Sequence, residues 1–149
     1  MAYLWLKLFH IILAIVSVGY SASYGLLVAR GRAAGRAELA FALRTIQVMD
    51  RIATIGYLLL LISGMGLVHL SGLSMRDRWL YVSATLWFIA FALALAIQRP
   101  ALRRMIALLD ERGPEDAEFQ RLSTRSRALG GVFAILTLLI LYLMVHKPV

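Results

Sequence analysis

Four stretches of this chain, residues 3–29, 52–70, 79–98 and 128–146, run almost wholly apolar, and between them they hold one formally charged side chain, Lys7. A bilayer core of ~30 Å is crossed by about 20 apolar residues in helical form. Each stretch is long enough. Inside hydrocarbon a helix satisfies its own backbone amides, which few other structures do. A membrane β-barrel would alternate apolar and polar residues with a period of two. The stretch WLYVSATLWFIAFALALAIQ, residues 79–98, does not alternate in that way. The expected fold is all-α: one membrane domain, a bundle of four transmembrane helices.

Composition agrees. Hydrophobic residues make up 61% of the chain and charged residues 16%, against about 45–50% and about 25% in soluble domains. There is no cysteine. A disulfide framework and thiolate-held zinc or iron–sulfur centres are therefore excluded, and any metal must rest on His, Met, Asp, Glu or backbone oxygen. The opening also has the look of a signal peptide, with Lys7, an apolar run over 9–18 and the small residues Ser21-Ala22-Ser23. Apolar character continues to Ala29, however, and a Gly/Arg-rich turn comes next, so the segment is read as a retained first span.

Basic residues set the orientation. Twelve of the sixteen lie at one end of the bundle, from Arg30 to Arg51 and from Arg99 to Arg127, and four lie at the other: Lys7, Arg76, Arg78 and Lys147. The positive-inside rule then places both termini outside the cytoplasm of a bacterial inner membrane. Tyr3, Trp5, Trp79, Tyr81 and Tyr142 fall near the outer ends of their spans, as an interfacial belt requires. The net charge of +8 reads as topology and as attraction to anionic lipid, not as nucleic-acid binding.

The cytoplasmic side is expected to carry helix beyond the membrane. Leu39, Leu43, Ile46 and Met49 recur at helical spacing, Pro100 can sit in a first helical turn, and Gly113-Pro114 ends the segment that Pro100 begins. Residues 115–127 form a polar helix with acids in its first turn. Helices two, three and four are thus expected to be long, with a charged cap over about residues 99–127.

Chemistry rests on three histidines. His10 lies about 10 Å below the outer end of the first helix, at ~1.5 Å per residue. His69 and His146 close the second and fourth spans on the same side. Met65 stands one turn before His69, Met144 lies beside His146, and Met75 is in the outer loop. Imidazole suits iron and copper, and thioether suits Cu(I) and haem iron. His10 is the leading ligand, because an ionisable group within the membrane is expensive without a purpose. Small residues (Ser17, Ser21, Gly25, Gly19 and Ser23 in the first helix; Gly56, Ser63, Gly64 and Gly66 in the second) provide either helix-packing surface or room for a cofactor. Gln47, Asp50 and Arg51 at the inner end of the second helix read as a neutral interfacial ion pair. Spans three and four hold no charged residue, which disfavours a proton-coupled transporter, and no hydrolase or phosphate-loop motif is present.

The opening Tyr3-Leu4-Trp5-Leu6-Lys7-Leu8-Phe9-His10, the small-residue helix after it and the closing Met144-Val145-His146-Lys147-Pro148 resemble a family of predicted bacterial integral membrane proteins of unknown function. The opening also resembles the copper-resistance D family and the HemJ-type protoporphyrinogen oxidases, haem-associated membrane enzymes with a first-helix histidine that maps onto His10. HemJ-type proteins carry a lysine in the third helix, which is absent here, and the usual Trp-x-Gly of the first helix is Ser17-Val18-Gly19. These readings lead to a small bundle that binds haem b or copper near the outer leaflet, in electron transfer or in metal or haem handling. His10 is the principal ligand, with His69 or His146 second and Met65 a softer choice. The alternatives are a cofactor-free accessory subunit of a larger membrane complex, or a copper permease. Expected partners are the lipid bilayer and either further copies of the chain or a larger redox complex.

Overall fold

The computed structural model describes residues 1–74 and 77–147. Met75, Arg76, Pro148 and Val149 lie outside the described residues. The elements are α1 (Ala2–Ala34), α2 (Arg36–Ser71), α3 (Arg78–Leu93), a π-helical turn (Ala94–Gln98), α4 (Arg99–Glu111) and α5 (Ala117–His146). No strand occurs among the described residues. Four helices are long and apolar enough to cross a membrane: α1, α2, the continuous rod from Arg78 to Glu111, and α5.

The helices pack as two antiparallel hairpins. α1 and α2 meet at Gly35, whose φ of 133° is open to glycine and strained for other residues. Gly31 lets the two backbones touch beside that turn, because a Cβ there would lie 2.9 Å from Leu39 Cα. The contact continues along the hairpin, with Gly56 against Ser17, Gly64 against His10 and Gly66 against Leu6. α3 and α5 form the second pair, with the Lys147 ammonium 5.7 Å above the Trp79 ring. Met1 and Lys147 therefore lie at one end of the bundle.

The hydrophobic core lies away from the chain ends, in the charged cap. It is built from Leu39, Leu43 and Ile46 of α2, Leu102, Met105, Leu108 and Leu109 of α4, and Phe119 of α5. Leu108 and Phe119 are both 0% exposed. In the apolar window of α5, by contrast, no residue is buried. The physical reason is the solvent. Water drives Leu and Phe together where the helices leave the membrane. Lipid tails are as apolar as leucine, so within the membrane that drive is missing, and close approach depends on small residues and hydrogen bonds.

Arginines tie the cap to both hairpins. Arg36 donates from Nη2 to the carbonyls of Leu109 (2.7 Å) and Asp110 (2.8 Å), capping the C-terminus of α4. Gly113, at φ 91°, ends that helix, and its N–H returns to Leu108 O at 3.1 Å. Arg44 clasps both carboxylate oxygens of Asp110 at 2.9 Å. Arg104 clasps Glu118 at 2.9 and 3.0 Å. Asp116 caps α5, accepting from the N–H groups of Glu118 (2.9 Å) and Phe119 (3.0 Å).

Candidate functional site

Ser63 is 4% exposed on the face of α2 that packs on α1. Its hydroxyl donates to Leu60 O, one turn back, at 3.1 Å. A hydroxyl has one proton and spare lone pairs. Ser63 Oγ lies 2.7 Å from His10 Nδ1; with the Ser63 proton on Leu60 O, His10 donates this bond from Nδ1 and Nε2 is the nitrogen open to a ligand. Metal-bound histidines are held in the same way: one ring nitrogen donates to a fixed partner and the other faces the metal. Gly64 makes the geometry fit, since a Cβ there would sit 3.3 Å from His10 Cε1.

His69 and Met65 share a second face of α2. Four residues turn a helix through about 400°, so these two side chains are only ~40° apart. Six residues separate Ser63 from His69, which puts His69 about 120° around the helix from the face His10 touches. Both are exposed, Met65 at 62%. His146, in the last turn of α5, is also exposed and stacks on Tyr142 with ring centroids 4.3 Å apart. All three histidines share the end of the bundle that carries the termini, and each has different neighbours. Among the described residues, no group of three His, Asp or Glu side chains stands together as a metal-ion site.

The small-residue stripes divide. Gly56, Ser63, Gly64 and Gly66 of α2 and Ser17 of α1 form the α1–α2 contact. Gly19 and Gly25 face outward, with no atom within 4 Å of where a Cβ would stand. Met144, at 37% exposure, also faces outward.

A polar network occupies the other half of the hairpin. Ser21 Oγ lies 3.0 Å from Tyr57 OH, and both hydroxyls approach Ser17 O, at 3.1 and 3.3 Å. Beyond them, Arg99 donates from Nε to Asp50 at 2.9 Å and from Nη2 to Thr54 Oγ1 at 2.5 Å. Thr54 Oγ1 donates in turn to Asp50 O at 2.7 Å. Spacing along the chain suggests a local pair of Asp50 with Arg51; the structure pairs Asp50 with Arg99, from the next span. Adjacent helical residues point about 100° apart and cannot face one another, so Arg51 turns outward.

The π-helical turn sets the position of Arg99. Pro100 has no N–H for the α-helical ladder. Just ahead of it the Arg99 N–H bonds back five residues, to Ala94 O. Such a turn adds a residue to the helix and rotates the part of the helix beyond it. Proline was the available sequence signal, but nothing in residues 94–98 announces a π turn.

The model for the DUF2269 family, described as a predicted integral membrane protein family, matches residues 4–148. The chain belongs to that family. No curated protein and no solved structure matches it. This membership covers both hairpins and the cap, and it accords with the four apolar helices.

Proposed function

We propose that this DUF2269 protein binds haem b or a copper ion with His10 as a ligand, and serves electron transfer or metal or haem handling. The observation behind this reading is the His10–Ser63 hydrogen bond, which fixes through Nδ1 the imidazole of a histidine that lies within an apolar helix. His69 and His146 lie at the same end of the bundle and are the candidates for a second ligand, with Met65 as a soft alternative. Haem iron and copper each supply one-electron chemistry, and the protein supplies the donor and its orientation. The twelve basic residues at the opposite end of the bundle support an inner-membrane protein with both termini periplasmic.

The test is an absorption spectrum of the protein purified from haem-replete cells, oxidised and reduced, with parallel metal analysis. A Soret band or bound copper that disappears in His10→Ala supports the reading. Absence of both from wild type, or retention of either in the variant, overturns it.

A second reading is a cofactor-free subunit of a larger membrane complex. It is favoured by Gly130 and Gly131 of α5 and Gly19 and Gly25 of α1, where among the described residues nothing lies within 4 Å of an added Cβ, so that the bare backbone suits packing by another helix. Co-purification with one partner at fixed stoichiometry, without pigment or metal, would distinguish it.

A further inference from the structure

A small cavity opens between the two hairpins where the spans meet the cap. Its volume is about 60 Å³, and it is lined by Gln47, Asp50, Arg51, Arg99, Leu102 and Arg103. Three arginines and one aspartate thus line it. Asp50 is committed to Arg99. Arg51 and Arg103 make no ion pair or hydrogen bond among the described residues. Arg99 uses Nε and Nη2, and its Nη1 is left over.

Arg44, Arg104 and Arg112 of the cap pair with Asp110, Glu118 and Asp116, whereas Arg30, Arg121, Arg125 and Arg127 stand exposed without an ion pair among the described residues. What distinguishes the cavity is that it brings three arginines to one opening against a single carboxylate. Guanidinium forks match the oxygens of a phosphate, and the Gln47 side-chain amide adds a donor. The space accommodates a few water-sized groups, which suits a small oxyanion. Its level identifies the source. The apolar run of α2 begins at Ile52, directly after Arg51, and that of the third span ends at Gln98, directly before Arg99. The cavity thus sits at the membrane boundary, where the phosphates of lipid headgroups lie.

We propose that this cavity binds the phosphate of an anionic phospholipid, with Arg51 and Arg103 as the principal contacts and Arg99 as the pre-positioned floor. The bound headgroup bridges α2 and α4, and so joins the two hairpins.

The test is native mass spectrometry of the full-length protein from mixed micelles containing equal phosphatidylglycerol and phosphatidylcholine. Wild type is expected to retain phosphatidylglycerol selectively. Arg51→Gln with Arg103→Gln should reduce that selectivity roughly ten-fold or more, since two charge-assisted guanidinium–phosphate contacts at the cavity are lost. Arg121→Gln with Arg127→Gln removes the same charge from exposed positions of α5 and should leave the selectivity unchanged. The Asp50–Arg99 pair is intact in all variants, and helicity by circular dichroism checks the fold. A final arm adds inorganic phosphate to the lipid mixture. Loss of selectivity in the α5 control, no selectivity in wild type, or displacement of lipid by free phosphate overturns the proposal. The last result would assign the cavity to a soluble anion.

Discussion

Arg99 Nε and Asp50 Oδ2 are 2.9 Å apart, although 49 positions separate them in the chain. Their side chains are 26% and 24% exposed. The bond joins the α1–α2 hairpin to the rod formed by α3, the π turn and α4. Removing one partner leaves the other charge partly desolvated. Arg99→Ala or Asp50→Ala should each destabilise the fold by about 2–3 kcal/mol, below the value for fully buried pairs. The double variant should lose less than the sum. Unfolding in mild detergent with increasing denaturant provides the double-mutant cycle, and strict additivity would show that the pair is not coupled.

The Ser63 hydroxyl fixes the His10 ring through Nδ1, at 2.7 Å. If His10 ligates a cofactor, Ser63→Ala should lower cofactor affinity by about ten-fold, the lower end of what outer-shell partners contribute. His10→Ala should abolish binding. Titration of the cofactor into the apo-protein measures both, and equal affinities for wild type and Ser63→Ala would remove the serine from the site.

Two glycines of the α1–α2 hairpin should respond differently to alanine. At Gly31 the new Cβ would press on the backbone of α2, 2.9 Å from Leu39 Cα and 3.0 Å from Glu38 O. Backbone at a tight turn cannot easily yield, so Gly31→Ala should destabilise by about 1–3 kcal/mol. At Gly56 the obstacles are the Ser17 hydroxyl, which can rotate, and the Ser17 Cβ at 3.3 Å, which is fixed to the α1 backbone. Gly56→Ala also gains helix propensity, about 1 kcal/mol, and should cost less than Gly31→Ala. Thermal melts of the two variants side by side decide the matter.

Acid should loosen the start of α5. The Phe119 N–H bond, with further help from the Arg112 guanidinium and the Glu118 N–H, holds the Asp116 carboxyl below the ordinary carboxylate range. A pKa lower in the folded state gives stability that is complete above the unfolded value of about 3.9 and is lost as pH falls through the folded one. Asn also caps helices well. Asp116→Asn should therefore keep most of the stability at neutral pH while flattening its fall in acid. Melting temperatures across the acid range test this, and parallel pH curves for the two proteins would count against the cap.

Much of the fold was legible in single residues and their spacing. Leu39, Leu43 and Ile46 recur at helical intervals and do form the core; Pro100 and Gly113 mark the ends of the cap helix as expected. The candidate site was legible only in part. His10 stood out as a titratable group inside an apolar run, but its serine partner lies 53 residues away. Asp50 looks paired with its neighbour in the sequence and is not, because the rotation that turns Arg51 away and the π turn ahead of Arg99 leave no trace in hydropathy. Gly25 and Gly64 look alike in the sequence, yet one faces outward and the other supports an imidazole.

The amino-acid sequence alone determined the number of spans, their helical form and the accumulation of positive charge at one end. Each of these is a sum along the chain: enough apolar residues to fill a bilayer, or enough arginines on one side of it. Tertiary structure decided which way each helix is rotated, and with it which serine meets His10, which arginine meets Asp50 and where unpaired charge remains. Rotation within lipid is governed by close contact between particular small and polar groups, because the surrounding hydrocarbon favours no face of an apolar helix over another.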